Sequence, residues 1–427
     1  MQSVTVFWFR RDLRLSDNVG LIGAHRSKYP VLPIFIFDRN ILDELEPDDA
    51  RVSFIHEQLT KINNELAKVS SGVTMLYGDP LEQLVELSVR FDIKQIHTNR
   101  DYEPYAQTRD KQVSDWAKSK NIEFKTHKDQ VILEAGEVLK DDGNPYTVFT
   151  PFKRKWLQTV DVHMVAPVSE NDLNWLKHKP NILTISDIGF EKSSITVKEY
   201  KLDHLAKYDE NRDKPAINGT SNLSPHLRFG TIGIRTIVSH VKHHEAFLSE
   251  LIWREFFMHI LFHFPHVVNN NFRAKYDGIA WRNNKEDFEK WCNGETGYPM
   301  VDAGMRELNQ TGYMHNRVRM VVASFLCKHL LIDWRWGEAY FAKKLLDFEL
   351  SSNNGNWQWA AGTGCDAAPY FRVFNPSSQL QKFDPQMKYV RKWVPEVLEP
   401  GYARPMVDHA FARKRAIDTY KKGIDQS

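Results

Sequence analysis

The sequence predicts an amino-terminal α/β domain built on a parallel sheet, followed by an all-helical domain. Three observations predict it. Strand-like and helix-like segments alternate through the first 130 or so residues. Long helix-like segments dominate from about residue 199, and the stretch between is rich in Pro, Asn, Asp and Ser. At 427 residues the chain also exceeds one ordinary core, so more than one domain is expected.

The elements follow in order. Short β-branched or aromatic runs at 4–9, 31–37, 73–77, 93–97 and 131–133 read as strands. Polar stretches with helical spacing at 52–69 and 80–91 separate several of them. That alternation implies a parallel sheet covered by helices on both faces. Neither GxGxxG nor GxxxxGK[ST] occurs in it, so no dinucleotide fingerprint or P-loop is assigned. Residues 131–200 read as a long connector over the surface. Segment 249–264 is apolar almost all round, the mark of a buried helix, and 315–332 and 337–348 read as two more helices. The expected division is therefore 1–130, 131–200 and 201–427.

Composition narrows the function. Hydrophobic residues make up 42% and charged residues 26%, the balance of a globular protein. The formal net charge is only +2, so any affinity for nucleic acid must come from a local basic patch. Cys292, Cys327 and Cys365 are odd in number and lack metal-ligand spacing, so neither a disulfide framework nor a metal site is expected. No apolar run approaches a membrane span, and Arg10 and Arg11 follow the first strand in the reverse of a secretory signal. A soluble, cytoplasmic monomer is expected.

Eight of the twelve tryptophans lie in the second half, which is where unusual chemistry is sought. The densest segment is Asn353-Asn354-Gly355-Asn356-Trp357-Gln358-Trp359. On a helix, two positions rotate the face by ~200°, so Trp357 and Trp359 point opposite ways, while Asn353 and Trp357 share a side. One indole can then face a buried cofactor and the other a cavity. The plain alternative is two core tryptophans behind a polar cap.

The motifs around this segment resemble those of the photolyase and cryptochrome family. The carriers are Phe7-Trp8-Phe9-Arg10-Arg11-Asp12-Leu13-Arg14-Leu15-Ser16-Asp17-Asn18, the stretch 210–225, and Glu250-Leu251-Ile252-Trp253-Arg254-Glu255-Phe256. Thr296-Gly297-Tyr298-Pro299, Val301-Asp302-Ala303 and Met314-His315-Asn316-Arg317-Val318-Arg319-Met320 follow in the family's order. The resemblance runs from residue 4 to about residue 420 and implies an α/β antenna domain joined to a helical FAD-binding domain.

It also implies site residues. Tyr208, Thr220, Ser224, Arg254, Asn316, Asp347 and Asn353 stand where the family contacts FAD, with Arg319 placed to pair with Asp347. Asn353 stands opposite flavin N5, where plant-type cryptochromes carry Asp and animal light sensors Cys, which argues for the repair branch. Trp357, Trp334 and Trp281 match a chain of three tryptophans that carries electrons to the flavin, and Trp336 is an extra indole able to branch it. Glu250, Trp253, Met320 and Trp359 match the cavity for a flipped pyrimidine dimer, with Glu250 alternatively a structural ion-pair partner of Arg254. Arg212, Arg254, Arg317 and Arg372 match arginines at the cavity mouth that meet DNA phosphates. Arg391, Lys392, Arg413, Lys414 and Arg415 add basic density towards the carboxyl end.

The resemblance is strongest to the class I cyclobutane pyrimidine dimer (deoxyribodipyrimidine) photolyases, because the His-His pair of the (6-4) class is missing beside Met314. It implies light-dependent repair of pyrimidine dimers in ultraviolet-damaged DNA by an electron from excited reduced FAD. A cryptochrome-like photoreceptor without repair is the competing reading, and a light-independent flavin reductase the third. Phe247, Ser249, Tyr313 and Glu349 depart from residues common in bacterial members, at the rim of the expected cofactor site. The residues that hold a folate antenna find no match, so a second chromophore, whether folate, deazaflavin or flavin, stays open.

Overall fold

The computed structural model describes residues 1–170 and 173–425. It divides into two compact units. The first comprises Met1–Val138, Trp156–Tyr200 and Asn222–Leu248, and the second Leu139–Lys155, Lys201–Ser221 and the chain from Ser249 onward. No helix among the described residues is long and apolar enough to cross a membrane.

The first unit is built on five parallel strands, β1 Ser3–Phe9, β2 Val31–Asp38, β3 Thr74–Gly78, β4 Asp92–Asn99 and β5 Glu123–His127, in the order β3-β2-β1-β4-β5. Alternation along β1 explains why it lies in the middle. Val4, Val6 and Trp8 pack with Leu32, Ile34 and Ile36 of β2 in one apolar cluster, while Phe7 and Phe9 pack with Phe35 and Phe37 in another. A strand apolar on both sides belongs inside a sheet covered on both faces. The helix Ala50–Leu66 supplies Leu59, Ile62 and Leu66 to the cluster around Phe7. Pro80–Arg90 supplies Leu84 and Leu87 to the cluster around Trp8, and starts where the Asp79 carboxylate accepts from the Leu81 and Glu82 amides.

Two expectations need correction here. The fifth strand is Glu123–His127, not 131–133. Glu-Phe-Lys-Thr-His is an edge strand with charged, exposed positions, which hides it from a hydrophobicity reading. Val131, Ile132 and Leu133 are buried outside any strand. The segment 131–200 also carries the helix Phe149–Thr159, whose Phe149, Phe152 and Trp156 are buried.

The second unit is helical, and its core gathers side chains from Pro299–Thr311, Asn316–Ser324, Trp334–Lys344 and Leu350–Ala361. The sequence reads 315–332 as one helix. The chain instead widens at Phe325 into one π-helical turn, Phe325–Leu330, and stops at Leu331 in a left-handed conformation. The next helix starts at Trp334 rather than 337, because the Asp333 side chain caps it by accepting from the Arg335 amide. The Thr296–Pro299 motif proves structural. Asp302, wholly buried, accepts from the Thr296 hydroxyl at 2.6 Å, the Thr296 and Gly297 amides, and the Tyr402 hydroxyl at 2.6 Å. Gly337 is required by close approach, since a Cβ there would lie 2.1 Å from Cη2 of Trp357.

Candidate active site

The helix Glu245–His263 supplies the first functional face. Glu250 and Trp253 are three apart and neighbour each other on that helix. The Glu250 carboxylate accepts from Arg212 at 2.7 Å, so its ion-pair partner is Arg212 and not Arg254. Both side chains keep about a third of their exposure, at 29% and 34%, so the pair is open to a ligand. The Arg212 guanidinium lies over the Tyr208 ring at 5.4 Å. Burial, and then the Glu250 carboxylate, pushes the Tyr208 phenol up to about 12, which keeps it a neutral hydrogen-bond donor.

Trp253 is held by a ring that sequence reasoning missed. Phe149 stacks on it with centroids 3.6 Å apart and planes 7° from parallel. The Phe149 amide donates to the Asp366 carboxylate at 3.0 Å, which ties this ring to the segment that follows Trp359. The spacing of Phe149, Phe152 and Trp156 is helical and was the available signal in the sequence. Phe149→Leu should loosen Trp253 and weaken binding of a dimer-containing oligonucleotide. A lost aromatic stack costs about 1 kcal/mol, roughly fivefold in Kd. A titration of the oligonucleotide that gives an unchanged Kd would remove Phe149 from the site.

A second group of residues presents charge and hydrogen-bonding atoms suited to a flavin. Arg319 donates to Asp347 at 2.9 Å and to the Met314 carbonyl at 2.7 Å. Asp347 is 7% exposed and Arg319 25%. Arg254 pairs with the buried Glu349 at 3.3 Å, so the Glu349 departure preserves a carboxylate for Arg254. Asn353 donates through Nδ2 to the Glu338 carbonyl oxygen at 3.1 Å. A carbonyl can be satisfied only by the N–H end, so the amide oxygen of Asn353 is left as an acceptor. Glu338 also accepts from Asn354 at 3.1 Å, and burial pushes its carboxyl up to about 7. Tyr313, another departure, puts its hydroxyl 3.3 Å from the Thr220 hydroxyl.

His315 adds an unsatisfied atom. Its Nδ1 accepts from the Arg317 amide at 3.1 Å, while its Nε2 is buried with no protein partner. An orphaned buried donor, an amide acceptor and an Arg-Asp pair suit a ligand that is heterocyclic at one end and anionic at the other. Burial pushes the His315 ring down to about 4 from 6.5. The unfolded chain then binds more protons than the folded one between those values. Stability is therefore full above pH 6.5 and is lost as pH falls towards 4, by roughly 3 kcal/mol for this group. Acid denaturation monitored by circular dichroism should show that window narrowing in His315→Gln.

The remaining candidates are placed as follows. Arg317 donates to Asp213 at 2.8 Å and lies over the Phe383 ring. Met320 is half-buried on the helix Asn316–Ser324, which Asn316 begins as an exposed residue. Trp359 is half-buried and packs against the helical core, and the exposed Arg372 lies over the Phe374 ring at 5.3 Å. Ser224 falls in the first unit, in the helix Leu223–Arg228, whereas the other cofactor candidates fall in the second. Trp357 and Trp334 are buried, and Trp334 donates through Nε1 to Asn271 at 2.9 Å. Trp281 is half-buried and meets the Tyr420 ring edge-on at 5.7 Å. The thiols are not reactive groups, since burial pushes Cys292 and Cys327 up to about 12 and Cys365 up to about 11.

A parallel α/β unit and a helical unit rich in tryptophan, with Arg319 paired to Asp347, match the architecture that the resemblance to the photolyase and cryptochrome family implies. The comparisons agree. The DNA photolyase family model matches residues 5–170, and the model for the FAD binding domain of DNA photolyase matches residues 247–400. A deoxyribodipyrimidine photo-lyase of Synechococcus sp. is 36% identical over 99% of this chain and 97% of its own length. Among solved structures, a bacterial class III photolyase from Agrobacterium tumefaciens matches with a TM-score of 0.88 and 34% identity, over 100% of this chain and 98% of that one. An archaeal photolyase from Sulfolobus tokodaii, described with two FAD molecules, matches with a TM-score of 0.84 and 35% identity, over 99% and 100%. The chain belongs to the DNA photolyase family.

Proposed function

We propose that Glu250, Trp253, Met320 and Trp359 form the cavity in which this enzyme, a deoxyribodipyrimidine photo-lyase, receives a cyclobutane pyrimidine dimer for light-driven DNA repair. FAD, when bound, supplies the electron that opens the cyclobutane ring and takes it back afterwards. The protein binds, orients and excludes water. Glu250, held as an ion pair by Arg212, presents its remaining lone pairs to the imide N–H of the dimer. Trp253, stiffened by Phe149, and Trp359 give flat apolar surfaces for a dinucleotide of one strand turned out of the helix. Met320 fills the floor.

Tyr208, Thr220, Ser224, Arg254, Asn316, Arg319, Asp347 and Asn353 hold the cofactor. The amide oxygen of Asn353 can accept a hydrogen bond from a flavin N–H without adding negative charge. Arg212, Arg254, Arg317 and Arg372 meet the DNA phosphates, which makes affinity fall with salt. Trp281, Trp334 and Trp357 return the cofactor to its reduced form before catalysis and take no part in each turnover. The protein acts as a cytoplasmic monomer divided at 1–130, 131–200 and 201–427, and a second antenna chromophore is compatible with the family.

The observation that carries this reading is the hydrogen-bonding carboxylate of Glu250 beside the stacked indole of Trp253 on one helix. Glu250→Ala should lower the repair rate about tenfold or more, the worth of a hydrogen bond to a charged group, with the bound flavin spectrum unchanged. Repair at the wild-type rate would exclude Glu250 from the substrate cavity.

A further inference from the structure

We propose that Lys328 is a positioning residue for the substrate cavity, whose buried ammonium ties the helix that carries Trp359 to the loop that anchors Phe149 against Trp253. The inference rests on the cavity proposed above. Lys328 lies in the widened turn Phe325–Leu330, where all six side chains are buried, and is itself 1% exposed. Its Nζ donates to the Ala361 carbonyl at 2.7 Å and to the Tyr370 carbonyl at 3.3 Å. The same atom lies 3.6 Å from the Tyr420 ring centroid, and the Tyr420 hydroxyl also donates to the Ala361 carbonyl, at 2.8 Å. The cation thus faces two carbonyl dipoles and a ring in place of a carboxylate.

The two carbonyls mark the ends of one loop. The helix Leu350–Ala361 stops at Gly362, which turns the chain away in a left-handed conformation. The chain comes back at Tyr370, where the ammonium closes the loop. Both walls of the cavity depend on this closure. Trp359 stands in the last turn of the helix, just before Ala361. Asp366, inside the loop, accepts from the Phe149 amide at 3.0 Å, and Phe149 stacks on Trp253. Arg372 follows directly after the closed loop.

A methionine would fill the same length without burying a charge, so what Lys328 adds is its charge and its donors. A cation at a helix C-terminus meets the negative end of the helix dipole, and charged donors bind carbonyls more strongly than neutral ones. Burial pushes the Lys328 ammonium down to about 7 from 10.5. The closure is therefore charged below that pH and weaker above it. Its titratable neighbours hold one state there. Burial pushes Tyr420 up, Cys327 up to about 12 and His329 down to about 3. The helix Leu350–Ala361 has no titratable side chain. The loop brings Cys365, Asp366 and Tyr370, with Arg273 bonded to the Cys365 carbonyl, and Asp333 behind Cys327 and Tyr420 is paired with Arg335. Stability moves the other way. Between about pH 7 and 10.5 the unfolded chain binds more protons at this group than the folded one, so its contribution to stability rises with pH. Substrate recognition lost over that range is not unfolding at this group.

The test is discrimination, the Kd of an undamaged oligothymidylate divided by that of the ultraviolet-irradiated one, measured with FAD-loaded protein on both sides of the Lys328 titration. Wild type, Lys328→Met and Lys328→Arg are compared, with flavin content and circular dichroism establishing that each is folded. Wild-type discrimination should fall about two- to tenfold as pH rises through about 7, the difference between a charged and a neutral hydrogen bond. Lys328→Met should sit at the lower value throughout, and Lys328→Arg, which keeps its charge, should show no inflection. Glu338, which burial also pushes up to about 7, would instead leave its inflection in Lys328→Met. A flat wild-type profile overturns the inference without recourse to any variant, and so does an inflection that survives in Lys328→Met. No discrimination at any pH would overturn the cavity itself, and the inference with it.

Discussion

Asp347→Ala is expected to purify with little or no bound FAD. Asp347 is the carboxylate that receives Arg319, and it is 7% exposed. Its removal leaves the guanidinium three-quarters buried without its counter-charge. Breaking a buried pair from one side costs 3–5 kcal/mol, and the remaining exposure of Arg319 puts this case near the lower end, about 3 kcal/mol. That is over a hundredfold in FAD affinity if the whole loss falls on the cofactor. Arg319 also bonds to the Met314 carbonyl, so the helix Asn316–Ser324 should keep its start and the far-ultraviolet circular dichroism its shape. Fluorescence of flavin released on dilution reads the effect directly. Unchanged affinity would mean that this pair braces the fold and does not face the cofactor.

Trp357→Phe is the second large effect, and it separates two activities. Thiol-driven photoreduction should be lost, because the proposed relay passes through this indole. Repair by protein already reduced with dithionite should continue, because the relay does not act in turnover. Trp357 packs against Gly337, Phe341 and Trp291, so the smaller ring leaves a void and should destabilise the helical unit by roughly 1–3 kcal/mol. Photoreduction at the wild-type rate would remove Trp357 from the relay.

How much was legible in the sequence depends on what kind of signal each element leaves. Strands β1 to β3 are apolar enough to be read within a few residues, because a sheet buried on both faces shows in composition. Strand β5 is not, since an edge strand keeps its charges and its pairing with β4 is a long-range fact. The helix Glu245–His263 announces itself by burial all round, whereas the widened turn at Phe325–Leu330 leaves no local trace.

The site divides in the same way. Residue types at Glu250, Trp253, Asn353 and Trp357 are visible as motifs, but partners distant in sequence are not. Arg212 is 38 positions from Glu250, and the sequence pointed to the nearer Arg254. Phe149 lies over a hundred positions from Trp253, in a stretch read as a connector. The raised carboxyl of Glu338 comes from burial, which only the folded chain creates. Motif reading thus names the chemistry, and the fold supplies the groups that aim it.

The central claim is that this protein uses light to undo pyrimidine dimers in DNA. The most direct test photoreduces the purified protein with a thiol and mixes it with ultraviolet-irradiated oligothymidylate. Dimer content is then followed under blue light and in darkness. Loss of dimers under blue light alone is the result the account predicts. Normal photoreduction of the flavin with no loss of dimers would contradict it and leave a light sensor in its place.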